Sequence, residues 1–197
     1  MLSRKDARHA HRSQTNTPRR EHLLNSAARL ILEKGAGNLT LDAVCEAAQV
    51  SKGGLLYHFA SKVALFEALV DELVARLEDE VNEQLCSDAA EGVACARAYF
   101  HVIAHMGELP RTQQLCKALT LICAAQPEFM DRIRAKVSER SRLGWTRPMS
   151  LEELHLRLLA DGLWLADIYG SYRITPERRL ELIKLSAHPI VDSARER

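Results

Sequence analysis

Apolar residues recur at three- and four-residue spacing along most of the chain, which is the pattern of amphipathic helices. No stretch alternates apolar and polar residues as a half-buried strand would. Breaks at Gly and Pro divide the pattern into about nine segments. The pattern therefore predicts an all-α fold of about nine helices. A small N-terminal three-helix unit containing a helix-turn-helix is followed by a larger helical domain.

The stretch TLDAVCEAAQVSKGGLLYHFASK, residues 40–62, predicts two short helices joined by a tight turn and followed by the start of a longer helix. Thr40 and Ser51 are suitable N-caps for the two short helices. The second helix carries Gly53 and Gly54, and each glycine costs roughly 1 kcal/mol against alanine in a helix. Because glycine lets a backbone approach another surface closely, both are candidates for a contact with DNA.

Side chains around these glycines can donate hydrogen bonds to phosphate oxygens. They are Ser51, Lys52, Tyr57, His58 and Lys62. Phosphate donors beside a helix start with unpaired N–H groups are what a helix that enters the DNA major groove requires. The alternative is a capped helical hairpin within a bundle, with surface lysines of no function. The spacing favours DNA binding as a hypothesis.

From about Pro18 to about Leu77 the sequence resembles the DNA-binding domain of the TetR family of bacterial one-component regulators. The segment SKGGLLYHFASK is similar to the family's pattern around its recognition helix, and Thr40 falls at the cap of the family's second helix. The resemblance implies contacts to DNA phosphates from Thr40, Ser51, Lys52, Tyr57, His58 and Lys62.

The same resemblance places Gly54 and Leu55 where family members often touch base edges. It places Arg19 and Arg20 at a helix start that can approach the DNA backbone, although a solvated helix end is the alternative. The sequence departs from the family at Leu56, where tyrosine is frequent, and at Gly54, where a hydroxyl or amide side chain is frequent. Both departures leave fewer hydrogen bonds to bases, so the operator sequence stays open.

Composition supports a soluble protein with a large core, since 47% of the 197 residues are hydrophobic and 27% are charged. The net charge of +1 hides an asymmetry. Residues 1–62 contain ten Lys and Arg against five Asp and Glu, and the remaining residues contain seventeen against twenty-one. A basic N-terminal part suits contact with a polyanion such as DNA, although chance could produce the same division.

These patterns predict three segments. Residues 1–17 form a disordered basic arm that either adds DNA affinity or has no role. Residues 18–62 form the helix-turn-helix DNA-binding domain, and residues 63–197 form a ligand-binding and dimerisation domain. No apolar run is long enough to span a bilayer, and the N-terminus lacks the apolar core of a signal peptide, so we expect a cytoplasmic protein with no membrane partner.

A long helix is predicted from Lys62 to about Leu85, with apolar residues along one face. At 1.5 Å per residue it is roughly 35 Å long. It directly follows the predicted DNA-reading helix, so a tilt at its far end would move that helix. The resemblance to the TetR family implies that this connection couples ligand binding to DNA release.

The predicted eighth helix is apolar nearly all round, so it must be buried on most sides. A second copy of the chain can bury it, through a four-helix interface of helices eight and nine about a two-fold axis. The candidate interface residues are Leu154, Leu158, Leu165, Ile168, Leu180 and Ile183. A central helix buried within a monomer is the alternative. A homodimer would bind double-stranded DNA at a near-palindromic operator.

Polar groups set among apolar ones in the C-terminal helices are candidates for binding a small-molecule effector. They are Phe100, His101, His105, Cys123, Asp161 and Trp164. Asp161 beside Trp164 would suit a lipophilic cation. The spacing of His101 and His105 allows a metal, but ordinary core or surface histidines are the favoured interpretation.

The five cysteines form an odd number without CxxC spacing, which favours reduced thiols over disulfides, with a redox-sensing pair as the alternative. No catalytic spacing, metal site or cofactor motif is found. We therefore expect a non-enzymatic, ligand-responsive repressor. One alternative is a helical metal- or thiol-based sensor or enzyme using His101, His105 and a cysteine. Another is a helical adaptor that has lost DNA binding.

Overall fold

A computed structural model describes residues 18–85, 92–140, 148–170 and 173–186, without the side chains of 136–140. The predicted arm of residues 1–17 lies outside these ranges. Within them the chain forms nine α-helices, a 3-10 turn at Met106–Glu108 and no strand, which confirms the all-α prediction. The helices are α1 (Pro18–Lys34), α2 (Leu41–Ala48), α3 (Lys52–His58), α4 (Lys62–Gln84), α5 (Val93–Ala104), α6 (Pro110–Ala125), α7 (Phe129–Arg140), α8 (Leu151–Tyr169) and α9 (Pro176–Ser186).

The chain divides into two compact units. Unit 1 comprises the described residues of Met1–Asp71 and Gln114–Met130, and unit 2 comprises those of Glu72–Gln113 and Asp131–Arg197. Helix α4 contributes residues to both units. The functional boundary predicted at residue 62 remains a prediction.

Unit 1 is built on the apolar face of α1. That face buries Leu23, Leu24, Ala27, Leu30 and Ile31. Helix α1 ends at Gly35, whose φ of 82° is the left-handed conformation expected of a glycine after a helix. Helix α2 packs against α1 and α3 packs against α2. The rings of Phe66 and Phe129 meet edge to face in the same unit, with centroids 5.9 Å apart. The three N-terminal helices therefore share one core.

Unit 2 is organised around α5, which packs along α8 and also contacts α9. Its buried face includes Tyr99 and Phe100. The guanidinium of Arg97 donates to the carbonyl oxygen of Ser186 at 2.7 Å and to the carboxylate of Glu152 at 3.1 Å. One α5 side chain therefore joins the end of α9 to the start of α8.

Side-chain caps and short turns mark several helix ends. The Ser150 and Thr175 hydroxyls accept hydrogen bonds from backbone N–H groups at the starts of α8 and α9. Helix α5 ends at Ala104, and a 3-10 turn follows. Pro127 lies in a turn before Phe129, where α7 begins. Within the described part of the chain, no helix combines the length and apolarity needed to cross a bilayer.

A charged cluster joins α4 to the first turn of α6 within unit 2. The carboxylate of Glu72 accepts two hydrogen bonds from Arg111, at 2.9 and 2.7 Å, and one from Arg76 at 3.0 Å. Its side chain is only 11% exposed. Burial by itself would raise the pKa of Glu72, but the hydrogen bonds and charges of Arg111 and Arg76 hold it below the usual value. The ionised carboxylate is therefore the native form.

We expect Glu72→Gln to lower the free energy of unfolding by about 2–4 kcal/mol at neutral pH, because it leaves two arginines without their buried counter-charge. A depressed carboxyl pKa stabilises the fold above the unfolded pKa, and this contribution is lost as the pH falls through the folded pKa. The difference between variant and wild type should therefore shrink in acid. Urea denaturation at several pH values measures both effects.

The matched control is Glu33→Gln, which removes the exposed pair between Arg29 and Glu33. It should cost less than about 1 kcal/mol. Equal losses for the two variants would contradict a buried role for Glu72.

Candidate nucleic-acid interface and ligand cavity

The turn between α2 and α3 is fixed by local hydrogen bonds. The Thr40 hydroxyl accepts from the N–H of Ala43 at 3.1 Å, and the Ser51 hydroxyl accepts from the N–H of Gly54 at 3.2 Å. Gln49 ends α2 in the left-handed conformation with φ 52°. Both predicted caps are therefore present. Because each hydroxyl still has its own proton to donate, capping does not prevent a contact with a phosphate oxygen.

Helix α3 has one buried face and one exposed face. Leu55 is 0% exposed and Phe59 is 2% exposed, whereas Tyr57 is 86% exposed. Lys52 and Gly53 are also exposed. The structure therefore corrects one prediction: the side chain of Leu55 cannot touch a base edge, because it anchors α3 to the core.

The two glycines of α3 have different surroundings. A Cβ added at Gly54 would lie 2.9 Å from Cγ1 of Val50 and 3.3 Å from Oγ of Ser51. A Cβ added at Gly53 would meet nothing within 4 Å. Packing of the turn accounts for Gly54. Nothing within the described chain requires glycine at Gly53, which leaves the approach of an external surface as its candidate role.

Two lysines of the predicted interface already have partners in unit 1. The Lys52 ammonium lies 2.9 Å from a carboxylate oxygen of Asp42, and the hydrogen bond and charge of Asp42 raise the pKa of Lys52. The Lys62 ammonium donates to the carbonyl oxygen of Gly37 at 3.2 Å, and burial lowers its pKa. A phosphate would have to compete with these partners.

The remaining predicted phosphate contacts are Arg19, Arg20, Tyr57 and His58. The rings of Tyr57 and His58 meet edge to face at 5.1 Å. Arg19 is exposed, whereas Arg20 is half-buried with its guanidinium carbon 5.3 Å from the centroid of the Phe59 ring. The side chain of Arg20 therefore packs on the residue that ends α3.

Four of the six predicted effector contacts lie on α5 and α8 of unit 2. Phe100 is buried, and His101 is half-buried. Asp161 accepts a hydrogen bond from the Tyr99 hydroxyl at 3.3 Å, and burial raises its pKa although that hydrogen bond opposes the change. The indole N–H of Trp164 is buried without an acceptor among the described residues.

The other two predicted effector contacts differ in their setting. Cys123 belongs to unit 1, and burial raises its pKa. His105 follows α5, and its ring stacks on that of His101 with centroids 4.3 Å apart. Of the six residues, His105 lines a cavity of about 420 Å³ in unit 2, and the other five do not. Their role in effector binding stays a prediction.

Sequence reasoning missed three polar residues of this cavity's lining, which are Glu108, Gln113 and Arg179. The sequence feature that falls at this cavity is the break between the fifth and sixth predicted helices. That break does not indicate that α8 and α9 line the same cavity.

The described histidines, acidic residues and cysteines bear on the alternative of a metal- or thiol-based site. Within the described ranges, no group of three or more His, Cys, Asp or Glu side chains is placed to hold a metal. None of the four described cysteines is in a disulfide. Burial raises the pKa of Cys116 to about 12, so this thiol does not form a reactive thiolate at neutral pH.

Comparisons with known proteins agree with the geometry. A family model described as bacterial regulatory proteins, tetR family, matches residues 23–69. A second model, described as the tetracyclin repressor-like C-terminal domain, matches residues 93–185. Together the two matches cover more than half of the chain.

Among curated relatives, the probable acrEF/envCD operon repressor of Escherichia coli K12 is 27% identical over 146 residues, covering 68% of this chain and 60% of that protein. The transcriptional regulator UidR of the same strain is 36% identical over 69 residues, covering 33% of this chain and 35% of UidR. The matches thus span less than two thirds of the relatives' lengths.

Solved structures share the fold. A TetR-family member from Streptomyces coelicolor A3 has a TM-score of 0.65 at 21% identity, covering 88% of this chain and all of that one. NalD of Pseudomonas aeruginosa, the secondary repressor of a multidrug efflux pump, has a TM-score of 0.55 at 17% identity, covering 86% and 96% of the two chains.

The two glycines generate a test. We expect Gly53→Ala to leave the fold intact and to raise its stability by up to about 1 kcal/mol, because alanine is the better helix former. The same variant should weaken DNA binding if the backbone of α3 approaches the duplex at this point. Thermal unfolding and fluorescence anisotropy with a labelled duplex measure the two effects.

Gly54→Ala is the comparison, because its new methyl group crowds Val50. We expect it to lose about 1–3 kcal/mol of stability, the usual cost of overpacking. Undiminished DNA affinity in Gly53→Ala would show that this residue does not contact DNA.

Proposed function

The chain belongs to the TetR family of bacterial regulatory proteins, and from this membership we propose that it is a DNA-binding transcriptional repressor controlled by a small molecule. It covers an operator that overlaps a promoter, and effector binding releases it. The names of the curated relatives, an operon repressor and a transcriptional regulator, support this function. The exposed face of α3 is the observation that carries the proposal.

The DNA interface is proposed to consist of α3 with the N-termini of α1, α2 and α4. Phosphate contacts come from Arg19, Arg20, Thr40, Ser51, Lys52, Tyr57, His58 and Lys62. At Gly53 the backbone of α3 approaches the groove without a side chain in the way. Residues 18–62 thus form the DNA-binding domain, and residues 63–197 form the effector-binding and dimerisation domain.

The ion pair between Lys52 and Asp42 predicts modest intrinsic affinity. Before Lys52 binds a phosphate, it must leave a carboxylate 2.9 Å away, and that carboxylate then lies close to the phosphate. Asp42 therefore opposes binding through both lost attraction and like-charge repulsion. The pair limits non-specific binding, so sequence recognition contributes a larger share of operator affinity.

A homodimer is proposed to form through α8 and α9. Four of the six predicted interface leucines and isoleucines are exposed: Leu154, Leu158, Leu165 and Leu180. Leu151, Tyr169 and Leu185 extend the exposed apolar surface on the same two helices. Large apolar side chains left exposed in this way are typical of a protein–protein interface. A two-fold dimer carries two copies of α3, which suits a near-palindromic operator with half-sites about one DNA turn apart.

The DNA proposal is tested with the salt dependence of binding to a non-specific duplex. For Lys52→Ala we expect weaker binding and a slope of log K against log salt that is less steep by about one, because one phosphate contact is lost. For Asp42→Asn we expect tighter binding at low salt, because the competing carboxylate is removed. Fluorescence anisotropy over a series of salt concentrations gives both values.

Lys34→Ala is the control, since this exposed lysine ends α1 outside the proposed interface. It should leave the slope unchanged. If wild-type protein showed no salt-dependent DNA binding, the proposed function would fail, and the adaptor alternative would be favoured.

The dimer proposal is tested by placing a charge on the exposed leucines. We expect Leu158→Glu to convert the protein to monomers, because a carboxylate would be desolvated at the centre of an apolar interface. Sedimentation velocity measures the change. Leu32→Glu is the control: Leu32 is a partly exposed leucine on α1, and its substitution should leave the dimer intact. A wild-type protein that sediments as a monomer would contradict the interface.

A further inference from the structure

The cavity beside His105 has walls from four elements of unit 2. The 3-10 turn, the start of α6, the end of α8 and the first turns of α9 line a cavity of about 420 Å³ that is partly open to solvent. Small-molecule sites have volumes of about 300–1,000 Å³. Leu180 supplies an apolar wall, and the polar lining includes Glu108, Gln113 and the pair Asp167 and Arg179.

The charges lining this cavity sum to one negative charge. Arg179 donates to the carboxylate of Asp167, so these two groups neutralise each other. Glu108 remains, and in the described part of the chain it has no ion pair. An anionic ligand would therefore be repelled, whereas a monocation would balance the remaining charge.

The hydrogen-bonding groups of this cavity also favour a positively charged ligand. The Nδ1 atom of His105 lies 2.9 Å from the carbonyl oxygen of His101. Because a carbonyl only accepts, Nδ1 is a donor, and Nε2 is an acceptor in the tautomer with a single ring proton. In that tautomer His105 and the carboxylate of Glu108 offer two acceptors from the turn that follows α5, and an ammonium group offers only donors.

We propose that this cavity binds a small organic ammonium ion. Its nitrogen donates to the carboxylate of Glu108 and to Nε2 of His105, and its carbon skeleton lies against Leu180. The inference rests on the proposed function, since it names the chemical class of the effector.

The position of Glu108 connects this site to α4. Glu108 ends the 3-10 turn just before α6, and Arg111 in the first turn of α6 is doubly hydrogen-bonded to Glu72 of α4. A ligand that draws Glu108 towards the cavity therefore acts on a turn fastened to α4. Such a ligand changes DNA affinity only if it binds the two states of the protein unequally.

The test uses three six-carbon probes that differ in their head group: n-hexylammonium, hexanoate and hexanol. Each is titrated into the full-length protein, and binding is followed by chemical-shift changes in the amide spectrum. We expect saturable binding of n-hexylammonium, weaker binding of hexanol and still weaker binding of hexanoate. Glu108→Gln should weaken n-hexylammonium binding at least about tenfold, the loss of one charge-assisted hydrogen bond.

Glu128→Gln is the matched control, since Glu128 is an exposed acid that does not line the cavity. It should leave the affinity unchanged, and circular dichroism establishes that both variants are folded. The inference is overturned if hexanoate or hexanol binds as tightly as n-hexylammonium, if none of the probes binds, or if Glu108→Gln has no effect.

DNA binding in the absence of probe is measured on the same samples. Salt-dependent DNA binding without selective ammonium binding overturns the effector class and leaves the proposed function standing. Ammonium binding without DNA binding supports the site and overturns the repressor proposal.

Discussion

The burial of Leu55 and Phe59 is the constraint on which the proposed DNA interface depends. Helix α3 has seven residues, and isolated helices shorter than about 12–15 residues are marginal in water. Two glycines weaken it further. Packing of these two side chains and the Ser51 cap therefore hold it in place. Since one face is anchored, the opposite face with Lys52, Gly53 and Tyr57 is presented to solvent in a fixed orientation.

The cationic side chains proposed to bind DNA phosphates already have partners in the protein without DNA. Lys52 pairs with Asp42, Lys62 bonds a loop carbonyl, and the guanidinium of Arg20 lies over Phe59. These contacts are exposed or half-exposed, so each is weak and readily exchanged for a phosphate. Each contact must be given up before its cation binds a phosphate, so it reduces the net gain from that phosphate contact. The same contacts make affinity sensitive to neighbouring carboxylates that are not themselves part of the interface.

In unit 2 several charged side chains are buried, whereas several apolar side chains are exposed to solvent. Glu72 with its two arginines and Asp167 with Arg179 are largely buried, whereas several leucines of α8 and α9 face solvent. Buried ion pairs contribute little net stability, because desolvation offsets their attraction, but they penalise any arrangement that separates them. The first group fixes how α4 meets the start of α6, and the second fixes how α8 meets α9. The exposed leucines form part of the proposed dimer interface.

The sequence by itself determined the helices, their caps and the family, because these depend on periodicity and on hydrogen bonds between residues three or four apart. Thr40 and Ser51 cap their helices as their local signals predicted. Only the tertiary structure decided that Leu55 is buried while its neighbour Leu56 is 41% exposed. It also decided that Glu108 shares a cavity with Asp167 and Arg179. Such pairings join residues about 60–70 positions apart. They are set by how helices pack, for which one sequence carries no local signal.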